Sequence, residues 1–362
     1  MANDNLKQAK KAKNDEFYTQ WCDIEKEIMA YIDYDPDVFR GKTILLPCDD
    51  PEWSNFTKFF AQNFEAFGLK KLISTSYAFE SKKVNMPYQT SLFEEQAPHF
   101  DPDINKIKGK IFTLDHDTNE NGVIDIEDLE WQYLDGDGDF RSDEVKKLRD
   151  EADIIITNPP FSLFREFLAW IIEADKKFAI VGHQNAIGYK EVFPLIRDNK
   201  MWLGKGFTSG VGHFISKYED YASAGNHIDG MIRVSGVHWF TNIEHGRRHQ
   251  SLKLMTMADN IKFSKHKEVK GIGYPSYDNF NAIDIPYTDS IPSDYEGIMG
   301  VPITFLDKYC PEQFEILGIG TGDTAKELGV TKNYRGRTDI YYMKDGKPKC
   351  PYQRVLIRKR GK

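Results

Sequence analysis

The stretch Asp153-Ile154-Ile155-Ile156-Thr157-Asn158-Pro159-Pro160-Phe161 limits this chain most tightly. Its branched apolar run does not alternate, which is the pattern of a strand buried on both faces of a parallel sheet. The prolines end it. Neither has an N–H to give a ladder, and Pro160 biases its predecessor away from helix. Asn158 therefore stands just past the carboxyl end of a central strand, the edge where open α/β sheets bind ligands.

The rest of the chain supplies the partners of such a strand. After a polar, Lys-rich start, Ile24, Ile28 and Ile32 recur at helical spacing, with Thr19 as the expected N-cap. Thr43–Leu46 reads as a second buried strand. A polar turn, Pro47-Cys48-Asp49-Asp50-Pro51, follows it and leads into a helix with Phe56, Phe59, Phe60 and Phe64 on one face. Leu69–Thr75 reads as the next strand, and residues 80–110 as an insertion or long loop. Leu163–Ala174 and Glu191–Arg197 read as helices; Phe178–Gly182, Met201–Gly204 and Gly236–Asn242 read as strands. This alternation predicts a three-layer α/β domain with a doubly wound sheet over residues 1–250, with an insertion around 80–135. Residues 251–362, rich in Tyr, Pro, Gly and basic side chains, read as a separate, smaller, loop-rich lobe in which Tyr352–Arg358 alternates like an edge strand.

Composition narrows the function classes. No apolar run is long enough for a membrane helix, and the N-terminus is no signal peptide. The four cysteines have no zinc-ligand spacing, so a reducing cytoplasm is expected. The net charge is −8, yet residues 331–362 hold 11 Lys/Arg against 2 Asp/Glu. A basic end on an acidic body points to a polyanion partner.

Asn-Pro-Pro-Phe has a chemical reading. An exocyclic amine conjugated to a ring is a poor nucleophile, because its lone pair is delocalised. Two acceptors aimed at its N–H groups, the Asn158 side-chain oxygen and the Pro159 carbonyl, draw the nitrogen toward tetrahedral geometry and stabilise the charge that develops on attack. Phe161 offers a face on which a base can stack. A base in a duplex must first be swung out of its stack.

The ordered set Asn14–Gln20, Leu46–Pro51, Asp135–Ser142, Asn158–Phe161, His238–Asn242 and Gly297–Thr304 resembles the EcoRI-type adenine-N6 DNA methyltransferase family over nearly the whole chain. The resemblance implies a site-specific enzyme, of restriction-modification type or solitary, that uses S-adenosylmethionine on a flipped adenine of double-stranded DNA. It also admits a cognate restriction endonuclease as partner. It assigns Asn158, Pro159 and Phe161 to the adenine, and Asp139 and Phe140 to the adenine ring of the cofactor. Tyr18, Thr19 and Gln20 would close over the methionine end. Pro47 lies in the first turn, where either Asp49 or Asp50 would pair with the ammonium group. That turn has no glycine, unlike the glycine-rich turn of most methyltransferases.

Further candidates are weighed on the residues. His238-Trp239-Phe240 is expected either to face Phe161 across the base or to pack in the core. Arg247, Arg248, Lys332, Arg335, Arg337, Lys344, Arg354 and Arg358 are the expected phosphate contacts, any of which could instead read guanine. Asp117, Asn119, Asn121 and Asp128 match most of a calcium-loop pattern, although an acidic hairpin explains them better, and no other metal site is expected. The rivals to DNA methylation are the same chemistry on RNA adenine or protein glutamine, and a non-catalytic DNA-binding protein on the same fold.

Overall fold

The computed structural model describes residues 18–49, 54–78, 101, 103–207, 210–215 and 231–361. Asn14–Phe17 of the first motif, Asp50 and most of the 80–110 segment lie outside the described residues. The chain forms two compact units, residues 1–191 with 203–245 and residues 192–202 with 246–362. Residues 192–202, which the sequence pattern puts with the first domain, thus belong to the second unit.

The first unit is mixed α/β. In chain order its elements begin with β1 (Tyr18–Thr19), α1 (Trp21–Ile32), β2 (Thr43–Leu46), α2 (Asn55–Gln62), α3 (Phe64–Phe67), β3 (Lys71–Ser76), α4 (Ile104–Ile107), β4 (Lys110–Leu114) and β5 (Glu130–Tyr133). They continue with α5 (Asp143–Glu151), β6 (Ile154–Thr157), α6 (Phe164–Glu173), β7 (Lys177–His183), β8 (Trp202–Leu203, of which Leu203 belongs to this unit), β9 (Val211–Ile215), β10 (Met231–Ser235) and β11 (Val237–Thr241). The main sheet runs in the order β5-β4-β3-β2-β6-β7-β11-β8. β3, β2, β6 and β7 are mutually parallel, whereas β4, β5 and β11 each pair antiparallel with a neighbour. The expected doubly wound core is therefore flanked by antiparallel strands, and the acidic 115–151 segment contributes one of them, β5.

The central strands β2 and β6 are buried on both faces, as their unbroken apolar runs require. Ile44, Leu46, Ile154 and Ile156 share a core with Ile24 and Ile28 of α1 and Phe56, Phe59 and Phe60 of α2. The alternate residue Phe240 meets Phe164 of α6, ring centroids 5.0 Å apart. Thr19 is not the cap of α1. Gln20 takes that position without a side-chain bond, because Thr19 is drawn into β1, which pairs with Ile215 and Phe214 of β9.

The second unit has more regular structure than its composition suggests. β12 (Ala282–Asp284), β13 (Ile298–Pro302), β17 (Arg354–Lys359) and β14 (Phe314–Ile319) form a sheet in that order. β17 is hydrogen-bonded on both sides, to β13 and to β14, so it is an inner strand and not the expected edge. β15 (Tyr342–Lys344) and β16 (Lys347–Lys349) form a hairpin.

A buried acidic side chain ties α1 to Lys205 and Gly206 away from the sheet. Glu27 of α1 is fully buried. Its carboxylate accepts from the hydroxyl of Tyr31 and from the backbone N–H groups of Lys205 and Gly206, each at 2.5 Å. Glu27→Ala strands these donors without water, and unfolding stability is expected to fall by about 3 kcal/mol. Glu27→Gln, which keeps one acceptor, is expected to lose less, and denaturant unfolding of the two variants measures the difference.

Candidate functional site

β2 and β6 lie side by side and parallel, yet β2 leads on to β3 on one side and β6 to β7 on the other. Their carboxyl ends flank the point where the winding of the sheet reverses, and a crevice opens there in folds of this kind. Three stretches singled out in the sequence converge on it: the turn after β2, Asn158–Phe161 after β6, and β1.

Asp49 organises this edge. It is buried, and its two carboxylate oxygens accept from the hydroxyls of Ser54 and Thr157, both at 2.6 Å. Its N–H donates to the Thr75 carbonyl at 3.0 Å, and its own carbonyl accepts from Thr57 and Ser74. Ser54 also caps α2 by accepting from the Phe56 N–H at 3.1 Å. One side chain thus joins the ends of β2 and β6 to the start of α2, while its backbone reaches β3. The sequence left Asp49 and Asp50 equal as partners for an ammonium group. The carboxylate of Asp49 is committed to neighbouring hydroxyls. Ser54 and Thr157 were not foreseen, although Ser before an aromatic helix and Thr closing an isoleucine run were visible signals.

Thr19 meets Asn158. The Asn158 side-chain nitrogen donates to the Thr19 hydroxyl at 3.2 Å, and Asn55 donates from its side chain to the Thr19 carbonyl at 2.8 Å. Thr19 is buried, whereas Tyr18, Gln20 and Asn158 are partly exposed. Pro47 and Pro159 are buried in their turns. Phe161 is partly buried against the core, and its ring lies 6.4 Å from that of His183 at the end of β7. Burial pushes the His183 imidazole below its ordinary pKa, so it is neutral at physiological pH.

Asp139 and Phe140 come to the same edge. β5 returns parallel to β3 through two antiparallel pairings, so the turn after β5 lies at the carboxyl end of β3. The Ala78 N–H donates to the Asp137 carbonyl at 2.8 Å. Gly138 has φ +84°, and a Cβ there would lie 2.4 Å from the Ser76 carbonyl oxygen, so only glycine lets this turn close on β3. Arg141 grips both Asp139 oxygens, at 2.9 and 2.6 Å, and holds the carboxyl below its ordinary range. Phe140 is buried against the rings of Phe167 and Trp170 of α6. Thr75 Oγ1, buried at the end of β3, has no hydrogen-bond partner among the described residues.

Comparison with known proteins gives the family. The sequence model of the adenine-specific methyltransferase EcoRI family matches residues 5–360. The chain belongs to this family. Type II methyltransferase M.EcoRI of Escherichia coli is 41% identical over 361 residues, covering 98% of this chain and 95% of the relative. Type II methyltransferase M.MpnI of Mycoplasma pneumoniae is 33% identical over 97% of each chain. Type II methyltransferase M.MgeORF184P of Mycoplasma genitalium is 33% identical over 98% of each. No solved structure matches.

As an adenine-specific methyltransferase, the chain keeps several expected residues away from any ligand. Trp239 and Phe240 are 1% and 0% exposed. Trp239 packs on Phe56 and Phe207, and Phe240 on Phe164, so both are core residues and neither faces a base. Arg248 is also buried. Its guanidinium stacks 3.7 Å from the centroid of the Trp202 ring and donates to Asn199, which takes it out of reach of a phosphate. Arg354 is held by the buried carboxylate of Asp284 at 2.8 Å, and Arg358 pairs with Glu315. Arg247 is partly exposed, and Arg335 and Arg337 are exposed. The 117–128 loop is tied to itself. Asp117 accepts from the Asn121 and Gly122 N–H groups, Asn119 from Asn121, Asn121 from Val123, and Asp128 from Thr118, Asn119 and Asp125. No cluster of acidic, His or Cys side chains fit for a metal occurs among the described residues.

The Asp49 network has a measurable consequence. Asp49→Asn replaces one acceptor by an N–H2 group that faces a hydroxyl donor. It is expected to cost about 2 kcal/mol of stability, while Cys48→Ser next door is nearly neutral, as read by thermal unfolding.

Proposed function

We propose that this enzyme transfers a methyl group from S-adenosylmethionine to N6 of an adenine flipped out of duplex DNA, at a specific site and as the modification half of a restriction-modification pair. A restriction endonuclease of the same site is the partner this reading implies. The observation that carries it is Asn158 at the carboxyl end of β6, its side chain hydrogen-bonded to the Thr19 hydroxyl beside the end of β2. The three-layer core of the first unit would then be the catalytic domain, and the second unit, with the basic 331–362 stretch, the part that grips DNA.

The residues fit the cofactor. A partnerless buried hydroxyl at Thr75, the charged Asp139 carboxylate and the backbone of the Asp137–Asp139 turn offer polar groups to an adenosine at the end of β3. When bound, S-adenosylmethionine supplies a methyl group on a sulfonium. Asp139 would accept from its adenine amine, and β1 would close on its methionine end. With Asp49 committed, Asp50 is the carboxylate left in the first turn for the ammonium group.

The chain's own part is positioning and hydrogen bonding. Phe161 receives the flipped base on its face, beside the neutral His183. Asn158 Oδ1 and the Pro159 carbonyl each accept one N–H of the target amine, and both bonds strengthen as positive charge grows on that nitrogen. The diproline fixes the carbonyl, and Thr19 fixes the amide, so little reorganisation is left for the reaction itself. The proton released after transfer passes to solvent.

Incubation with tritium-labelled S-adenosylmethionine and unmodified duplex DNA, followed by nucleoside analysis, is expected to place the label in N6-methyladenine. Label only in RNA or protein, or none, would refute the proposal. Asn158→Ala is expected to lower kcat by about 10³-fold while cofactor affinity, read by calorimetry, changes little. Thr19→Val is expected to lower kcat about tenfold, with Thr19→Ser restoring it, because only the hydroxyl is needed to turn the amide. Equal kcat in Thr19→Val and the native enzyme would remove Thr19 from this role.

A further inference from the structure

The basic end of the second unit divides into cations that hold the fold and cations that do not. Arg354 and Arg358 are ion-paired within the sheet, and Arg360 donates to the carbonyls of Pro311 and Phe314. Lys332, Arg335 and Arg337 are exposed and make no ion pair with the described residues. All three sit on one loop, 331–341, between α7 (Gly322–Glu327) and the β15–β16 hairpin.

That loop is held from beneath by two buried asparagines. Asn279, 8% exposed, clamps both its ends. Its side-chain nitrogen donates to the carbonyls of Thr331 and Asp339 at 2.8 and 3.0 Å, and its side-chain oxygen accepts from the Tyr341 N–H at 3.1 Å. Asn333, 6% exposed, closes the tip. Its side-chain oxygen accepts from the N–H groups of Arg335 and Arg337 at 2.8 and 3.1 Å, and its N–H donates to the Arg337 carbonyl at 2.7 Å. Gly336 turns the tip with φ +73°. On this frame Tyr334 is 47% exposed, its ring against the edge of Tyr341 and under the Arg335 guanidinium at 5.0 Å. The backbone is thus held by hydrogen bonds of its own, while the Arg335 and Arg337 side chains stay exposed.

The adjoining hairpin has a different character. Lys344 and Lys347 are directly opposite each other across the two strands, and both are exposed. Like charges in that register repel. A phosphate between them would reverse the sign of that interaction, and a base edge would not.

We propose that the 331–341 loop is the sequence-reading element of this methyltransferase. Arg335 and Arg337 contact guanine edges, Asn279 and Asn333 are positioning residues, and the Lys344/Lys347 pair seats a backbone phosphate of the same duplex. The inference rests on the DNA reading above. An arginine can present two parallel donors to the O6 and N7 acceptors of guanine only if its backbone is fixed, and the two asparagines fix it. The paired lysines act as point charges, which position the duplex without selecting sequence.

Unmodified genomic DNA is methylated with the native enzyme and its variants, and modified adenines are mapped by long-read sequencing. The native enzyme is expected to mark one motif. Arg335→Ala and Arg337→Ala are expected to spread methylation to sites that differ at one position, lowering the preference for the motif by about 10- to 100-fold. Asn333→Ala is expected to do the same with cofactor affinity unchanged, and Asn333→Asp, which keeps the acceptor for both N–H groups, to retain the preference. Lys344→Ala with Lys347→Ala is expected to leave the motif intact and to flatten the salt dependence of binding to a duplex oligonucleotide carrying it, by a slope of about 1 to 2. An unchanged motif preference in both arginine variants would overturn the inference, and these exposed positions test it even if Asn333→Ala fails to fold. A native enzyme that marks no DNA at all would overturn the DNA reading itself, and the inference with it.

Discussion

The crevice of this protein depends on a carboxylate that never reaches it. Burying a charged carboxylate costs several kcal/mol unless donors surround it. Asp49 is surrounded, by two hydroxyls on its oxygens and by β3 on its backbone. The donors to the carboxylate come from the cap of α2 and the end of β6, so satisfying it is the same event as bringing together the ends of β2 and β6 and the start of α2. This accounts for a first turn without glycine. In a glycine-rich turn the backbone itself is pressed against a ligand. Here Pro47 restricts the backbone, and side-chain bonds set where it lies.

Order then passes outward along hydrogen bonds. Asp49 fixes Thr157, the residue before Asn158. Asn55, next to the Ser54 cap, fixes the carbonyl of Thr19, whose hydroxyl fixes Asn158. Two routes from one turn therefore converge on the same amide. Without either, Asn158 would be a polar side chain at a strand edge with its nitrogen and oxygen ends equivalent. With both, the side chain is held in place.

What could be read in the sequence was local. The run Ile154–Thr157, the phenylalanine spacing of α2 and the proline stop after Asn158 each specify their own conformation by periodicity or by a missing N–H, and the structure follows them. What could not be read was pairing. An alternating segment reports one buried face but not how many neighbours its edges have, so β17 passed for an edge strand although β13 and β14 flank it. In the same way β4 and β5 inserted an antiparallel pair that acidic composition conceals. The aromatic pair Trp239-Phe240 is equally ambiguous by residue type. An aromatic beside a strand end suits a base, and an aromatic within β11 suits the core, and the one-residue difference is settled by register with β7. In the site, Thr19, Asp49, Asn158 and Asp139 lie at one edge of the sheet, whereas Ser54, Asn55 and Thr157 gained their importance only from their neighbours in the fold.

Charge follows the same division, and it bears on how a basic stretch should be interpreted. A local excess of cations is one number, but its members differ by partner. Arg354 is consumed by Asp284, which also takes the Tyr277 hydroxyl at 2.7 Å, so this guanidinium is part of the buried framework of the second unit. Arg248 spends its face on Trp202. A guanidinium so held has already exchanged water for protein, and moving it to a phosphate would leave a buried carboxylate or ring behind. The cost of that exchange excludes it from binding more firmly than distance does. Lys344 facing Lys347 is the opposite case: two exposed like charges stand across one hairpin, and the nearest compensation is the carboxylate of Glu268, which Lys344 helps to keep charged.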